Sequence, residues 1–136
     1  MMTLEEVRAF FAEDFFALET CGITIDAVDD GTAECSMKLE KKHLNANHVA
    51  QGGALFTLCD ICMSVAANAG GVMTVTQNMN IHYLRPGTGA CLYARAERIS
   101  EGRTTCLYRV DVRDENEKLV AYATGTGFRK AAVKSV

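Results

Sequence analysis

The sequence predicts an α+β domain in which one long apolar helix is wrapped by an antiparallel sheet. Three observations carry this. Residues 52–69, GGALFTLCDICMSVAANA, form a single apolar segment about 27 Å long if helical throughout. After Gly70–Gly71 the pattern changes to period two, clearest where Thr104, Cys106, Tyr108, Val110 and Val112 alternate with Thr105, Leu107, Arg109, Asp111 and Arg113. The strand-like runs are joined by short links rich in turn residues.

Taken in order, Thr3 followed by Glu6 has the form of a capping box opening a short helix, with Leu4, Val7, Phe10 and Phe11 on one face. Two strands follow, Ile23–Val28 and Thr32–Leu39, joined by Asp29-Asp30-Gly31, a sequence suited to a tight turn. Residues 40–50 are polar and irregular. The long helix comes next, and then strands over Val72–Leu84, Cys91–Ile99, Thr104–Arg113 and Leu119–Phe128. Short connections (Arg85-Pro86-Gly87, Ser100-Glu101-Gly102, 114–117) predict that these four strands form a meander.

The 136 residues fit one domain spanning 1–136, with an N-terminal helical segment at 1–20 and a core at 21–130. At 49% hydrophobic and 23% charged, the composition is that of a globular protein and not of a disordered one. Acids in MMTLEEVRAFFAEDFF stand where a signal peptide needs a basic region, and no apolar run is long enough to span a membrane. A net charge of −3 without a basic cluster argues against nucleic acid as the main partner. The six cysteines lie in apolar or alternating segments and read as reduced core residues, so the expected location is cytoplasmic.

Chemistry concentrates on the long helix. Thr57, Asp60, Ser64 and Asn68, spaced by three, four and four, fall on one narrow polar stripe. Asp60 is the only charge in the segment. Among apolar neighbours its carboxyl is either a solvated or otherwise satisfied polar group, or one whose desolvation lifts its pKa toward a range useful for acid–base work. Gly52–Gly53 opens the helix, where free N–H groups and close backbone approach suit an oxyanion hole, although a tight turn explains two glycines equally well.

Residues 43–60, HLNANHVAQGGALFTLCD, resemble the hotdog-fold thioesterases of the phenylacetate-degradation type. The pattern of that family runs Asn-x-x-Gly-x-x-His-Gly-Gly, with an acid eight residues after the first glycine of the pair. Asn45, Gly52, Gly53 and Asp60 match it, while His48 replaces the motif glycine and Gln51 the motif histidine. The stretches NMNIHYLRPG (78–87), EGRTT (101–105) and KLVAYATGTGFRK (118–130) extend the resemblance over about residues 20–130.

The resemblance implies a hotdog fold and hydrolysis of acyl-CoA thioesters by a homo-oligomer, dimeric or tetrameric, whose sites are shared between chains. Carried over, it gives Gly52 N–H as the donor to the thioester carbonyl, with Asn45 and Gln51 nearby. Asp60 becomes a general base or a nucleophile, and Ser64 and Thr76 hold water or substrate. Such donors contribute about 3–4 kcal/mol each, and a placed base roughly 10²–10⁴-fold. CoA would enter as part of the substrate, with no separate cofactor and no metal. Arg103, in the Gly-Arg-Thr turn, is the leading candidate for its phosphates, with Arg85, Arg129 and Lys130 also at strand ends or turns.

Other chemistries have less support. Cys59-x-x-Cys62 falls opposite the polar stripe, as small core residues would, and His43, His48 and His82 lack metal-ligand spacing. No Gly-x-Ser-x-Gly elbow and no phosphate loop is present. A hotdog hydratase or dehydratase would pair a histidine with an acid, which Gln51 disfavours. A non-catalytic acyl-CoA-binding regulator would need a DNA-binding element for which the first 20 or so residues are too few and too acidic.

Overall fold

The computed structural model describes residues 1–132, with side chains through Lys130; residues 133–136, the end of the span expected as one domain, lie outside the described residues. Helix α1 (Leu4–Phe10) opens at the expected capping box: Thr3 Oγ1 accepts from Glu6 N at 3.2 Å, and Thr3 N donates to Glu6 Oε2 at 2.9 Å. A π-helical turn over Phe16–Thr20 follows, started by Asp14, whose carboxylate accepts from Ala17 N. Strands β1 (Ile23–Asp29) and β2 (Thr32–Lys38) form the predicted hairpin, with Gly31 at φ +71°, the left-handed geometry such a turn needs.

Helix α2 (Gly52–Asn68) buries Leu55, Leu58, Cys59, Ile61, Cys62, Met63, Val65 and Ala66. Strands β3 (Val72–Tyr83), β4 (Cys91–Glu101), β5 (Thr105–Arg113) and β6 (Leu119–Ala132) complete a six-stranded antiparallel sheet ordered β1-β2-β4-β5-β6-β3. On β5 the alternation is as read, with Cys106, Tyr108, Val110 and Val112 facing inward. Part of the inner face of the sheet is small: Ala33, Ala94, Ala96, Ala121 and Ala123 are all buried. Glycines extend this on β6, where a Cβ at Gly125 would run into Met63 Sδ and one at Gly127 would lie 2.7 Å from Thr74 Cγ2. These absent side chains let the sheet close on the helix.

One expectation is corrected. The last four strands are not a continuous meander, because β3 pairs with β6 and not with β4. The link 84–90 instead crosses the ends of β6 and β5, anchored by Leu84 N and Arg85 N on Val120 O. Seven residues reach roughly 23 Å when extended, which is enough to pass two strands about 4.8 Å apart. Link length alone therefore did not separate a hairpin from a crossover. Gly87 fits the crowded crossing, since a Cβ there would sit 2.9 Å from Ala50 Cβ.

Leu58 is fully buried at the centre of α2. Leu58→Ala should cost about 2–5 kcal/mol, read as a lower denaturation midpoint in urea. A loss below about 1 kcal/mol would contradict a close-packed helix–sheet core. No helix among the described residues is long and apolar enough to cross a membrane.

Candidate active site

The site is built along the contact between α2 and the edge strand β3, which run antiparallel with a glycine turn between them. At the C-terminal end of α2, Asn68 Nδ2 donates to Thr74 O and Thr74 N donates to Asn68 Oδ1. Asn68, at the end of the polar stripe that its spacing predicted, is thus a buried tie between helix and strand. Near mid-helix Asp60 is partly buried, and Thr76 comes to it from β3. A bulge at Gln77 follows directly, since Thr76 and Asn78 pair with consecutive residues of β6.

Burial is the main cause that pushes the Asp60 carboxyl above the usual carboxylate range. Hydrogen bonding from the Thr76 side chain favours the charged form and opposes this, while the negative charge of Asp14 adds to the rise. Ser64, one turn on, is also partly buried. The stripe therefore holds a desolvated carboxyl whose pKa is raised, an arrangement suited to a proton acceptor.

The start of α2 is organised by the loop before it. Gln51 is the N-cap, its Oε1 accepting from Gly53 N at 2.6 Å, so it orders the helix start as expected of a hydrogen-bonding replacement for histidine. Ala54 N and Leu55 N both donate to Gln51 O. Gly52 N–H has no acceptor among the described residues, which leaves it free for a ligand. Asn45 Oδ1 accepts from Asn47 N and Val49 N inside the loop, leaving its amide NH₂ as the free donor. His48, at the motif's glycine position, adopts φ +61°, so the loop keeps a left-handed backbone there despite the larger side chain. His43 is buried, with Nδ1 accepting from Glu40 N and Nε2 facing Cys21 O. Beside this start lies a cavity of about 490 Å³ whose lining includes Phe16, Leu44, Gln51, Gly53, Ala54 and Thr57.

The cationic candidates separate. Arg85 follows β3 at the end of the sheet nearest Gly52, while exposed Arg103 and Lys130 lie at the opposite end, in the β4–β5 turn and at a β6 bulge. Neither Arg85 nor Arg103 has an ion-pair partner among the described residues. Arg129 is committed to structure, donating to Gly102 O at 2.6 Å and pairing with Glu101 at 3.3 Å. Cys59 and Cys62 are fully buried, and burial pushes the Cys59 thiol up to about 12, so no thiolate is available there.

Two residues near the site went unnoticed in the sequence. Asp14 acts electrostatically on Asp60, and its only advance signal was a helix-capping residue type ahead of an aromatic pair. Tyr83 closes over Gly52 from the end of β3, its Oη donating to Gly52 O at 3.0 Å. No local rule connects a strand end with a helix start 31 residues earlier.

A six-stranded antiparallel sheet wrapped on a central helix, with a short helix preceding it, is the hotdog architecture. The chain belongs to the thioesterase superfamily, whose profile matches residues 47–121, and is a thioester hydrolase. It is 31% identical over 126 residues to the acyl-coenzyme A thioesterase PaaI of Escherichia coli, covering 92% of this chain and 89% of that one. The structure of the E. coli PaaI protein superposes with a TM-score of 0.89 at 28% identity, covering 96% and 95% of the two chains. A Streptococcus pneumoniae thioesterase protein solved with coenzyme A gives a TM-score of 0.84 at 29% identity, with 91% and 99% coverage.

Proposed function

We propose that this chain hydrolyses acyl-CoA thioesters to a free acid and CoA, in the cytoplasm, as a homo-oligomer with sites shared between chains. The observation that carries the reading is the unpartnered Gly52 N–H on the same helix whose one charged residue is the desolvated Asp60. Gly52 N–H stabilises the oxyanion that develops on the thioester carbonyl, with the amide groups of Asn45 and Gln51 beside it. Asp60 either takes a proton from water as it attacks or attacks the carbonyl itself, and Ser64 and Thr76 orient the attacking group. The C–O bond forms, the C–S bond breaks, and the CoA thiolate leaves to take up a proton; where Asp60 itself attacks, water then cleaves the acyl–Asp60 anhydride to release the free acid and restore the carboxylate. Arg103, Arg85 and Lys130 meet the phosphates of CoA. All six cysteines are free, which fits a reducing compartment.

The test is thiol release from a panel of acyl-CoAs, followed colorimetrically. Release supports the reading and ranks the acyl groups. Binding without release would point to a regulator, and a change in enoyl absorbance without thiol to a hydratase.

Self-association is supported by the edge strand. Along β3 and its neighbours, Met73, Val75, Tyr83, Leu84 and Phe128 are all exposed, a concentration of apolar surface on one open edge. Light scattering at micromolar concentration should give a multiple of the 14.8 kDa chain mass, a dimer at least and a tetramer if dimers pair. A mass of one chain would reject the oligomer.

A further inference from the structure

We propose that Phe16 is a specificity-determining residue: with the start of α2 it bounds the cavity beside Gly52, which takes an apolar acyl group longer than acetyl. The inference rests on the role given to Gly52 above. The cavity, of about 490 Å³, touches both neighbours of the donor residue, Gln51 and Gly53, and reaches one helical turn further to Ala54 and Thr57. A thioester carbonyl on Gly52 N–H carries two substituents, the acyl group and the CoA sulfur, and the lining decides which of them enters. Its polar groups are mostly engaged. Gln51 Oε1 accepts from Gly53 N, and Thr57 Oγ1 donates to Gly53 O. Both ring nitrogens of His43 are bonded, and Lys42 pairs with Glu40 at 3.5 Å. The rest of the lining is largely Phe16, Cys21, Leu44 and Ala54, a surface that suits hydrocarbon and offers little to phosphates or amides. The acyl end fits it.

The wall is held in a fixed relation to the donor. Phe16 opens the π-helical turn, which Cys21 N closes by donating to Phe16 O at 2.9 Å; such turns concentrate at functional sites. His43 ties this turn to the helix start. Because its Nδ1 accepts from Glu40 N, its ring proton sits on Nε2 and is donated to Cys21 O at 2.7 Å. The backbone O of the same residue accepts from Gln51 N at 2.8 Å. One buried side chain thus braces the turn that carries Phe16 against the cap that precedes Gly52. Phe16 itself is 62% exposed and takes no part in the buried core, so its ring is available to a ligand. It also precedes residues 47–121, the stretch shared with the superfamily profile, so a wall built there can differ between relatives whose catalytic helix is alike.

The experiment is thiol release from straight-chain acyl-CoAs between acetyl and hexanoyl. In the unmodified chain kcat/KM should rise about fourfold for each added methylene, the factor that burying one CH₂ contributes. Phe16→Ala in the full chain should lower the hexanoyl-to-acetyl ratio of kcat/KM about tenfold. Ala54→Met, which fills the cavity from the helix side, should lower the same ratio and keeps the test decisive where Phe16→Ala disturbs folding or assembly. A kcat/KM that is flat along the series, or a ratio that stays within about twofold of the unmodified chain's in both variants, would overturn the proposal. If no acyl-CoA releases thiol, the functional reading fails instead, and calorimetric binding of two thioethers, S-hexyl-CoA and S-methyl-CoA, decides the subsite. Tighter binding of the hexyl compound, weakened about tenfold by Phe16→Ala, supports it; equal affinities overturn it.

Discussion

Replacing Asp60 with asparagine should lower kcat by at least about 100-fold while leaving the fold and the assembly intact. Asn is nearly isosteric and can still hydrogen bond with Thr76, but it neither accepts a proton nor attacks. The fold should not suffer. Burial raises the Asp60 pKa in the native state, so between the unfolded and folded pKa values the native state binds more protons than the unfolded one. Asp60 therefore costs stability as pH rises through that window, and the cost is fully present above the folded pKa. Asp60→Asn removes it, so the thermal midpoint at neutral pH should be equal or higher. In the unmodified enzyme the acid limb of the kcat–pH profile should lie above the ordinary carboxylate range and vanish from any residual activity of the variant. Near-normal turnover in a folded variant would reject Asp60 as catalytic. Single-turnover hydrolysis in ¹⁸O-labelled water bears on the two roles left open for it, since an unlabelled first product requires a nucleophilic carboxylate whose anhydride is opened by water at the Asp60 carbon, whereas a general base always gives a labelled product.

Two inactive variants should restore each other. Gly52 and Asp60 are eight residues apart on one straight helix, about 12 Å along its axis, too far for one thioester to meet both. A two-fold partner whose helix runs antiparallel would bring its own Asp60 beside Gly52. The same operation would move the partner's Arg103 and Lys130, which lie at the far end of each sheet, toward Arg85, gathering the scattered cations around one CoA. Mixing Asp60→Asn chains with Gln51→Ala chains in equal amounts makes half the dimers mixed, and each mixed dimer holds one intact site of two. About a quarter of the activity of the unmodified enzyme should return if pairing is random. Demonstrably mixed dimers with no recovery would place the whole site within one chain.

The sequence made some of this structure visible and hid the rest for identifiable reasons. Strand β5 was legible because one face is buried and the other wet, so every second residue reports its side. Helix α2 was legible from length and apolarity, and the Thr3–Glu6 cap from a rule that acts over three residues. The path of β3 was hidden, because whether seven residues turn back or cross over depends on which strand has a free edge. Asn68 shows the limit of helical spacing: the three- and four-residue rule located its direction correctly, but only the arrival of Thr74 turned that direction into a buried tie. Within the candidate site, Asp60, Gly52 and Gln51 could be found because the motif lies in one continuous stretch. Tyr83 and Asp14 come from other parts of the chain and meet the helix only after folding.

The bulge in β3 bears on how far assembly can go. A twelve-residue edge carrying Met73 and Val75 would, if its ladder were regular, accept an incoming strand at many offsets and allow open-ended stacking. The bulge at Gln77, between Thr76 and Asn78, removes that translational freedom. A newcomer fits where its own irregularities match, and another copy in two-fold orientation satisfies this by symmetry. Once two such edges have met, the strands left outermost are the seven-residue β1 of each chain, themselves kinked between Ile25 and Ala27. In the proposed homo-oligomer the growth of the sheet would thus be self-limiting: its most adhesive border would be consumed in the first encounter, and what remained outside would be too short and too bent to invite another.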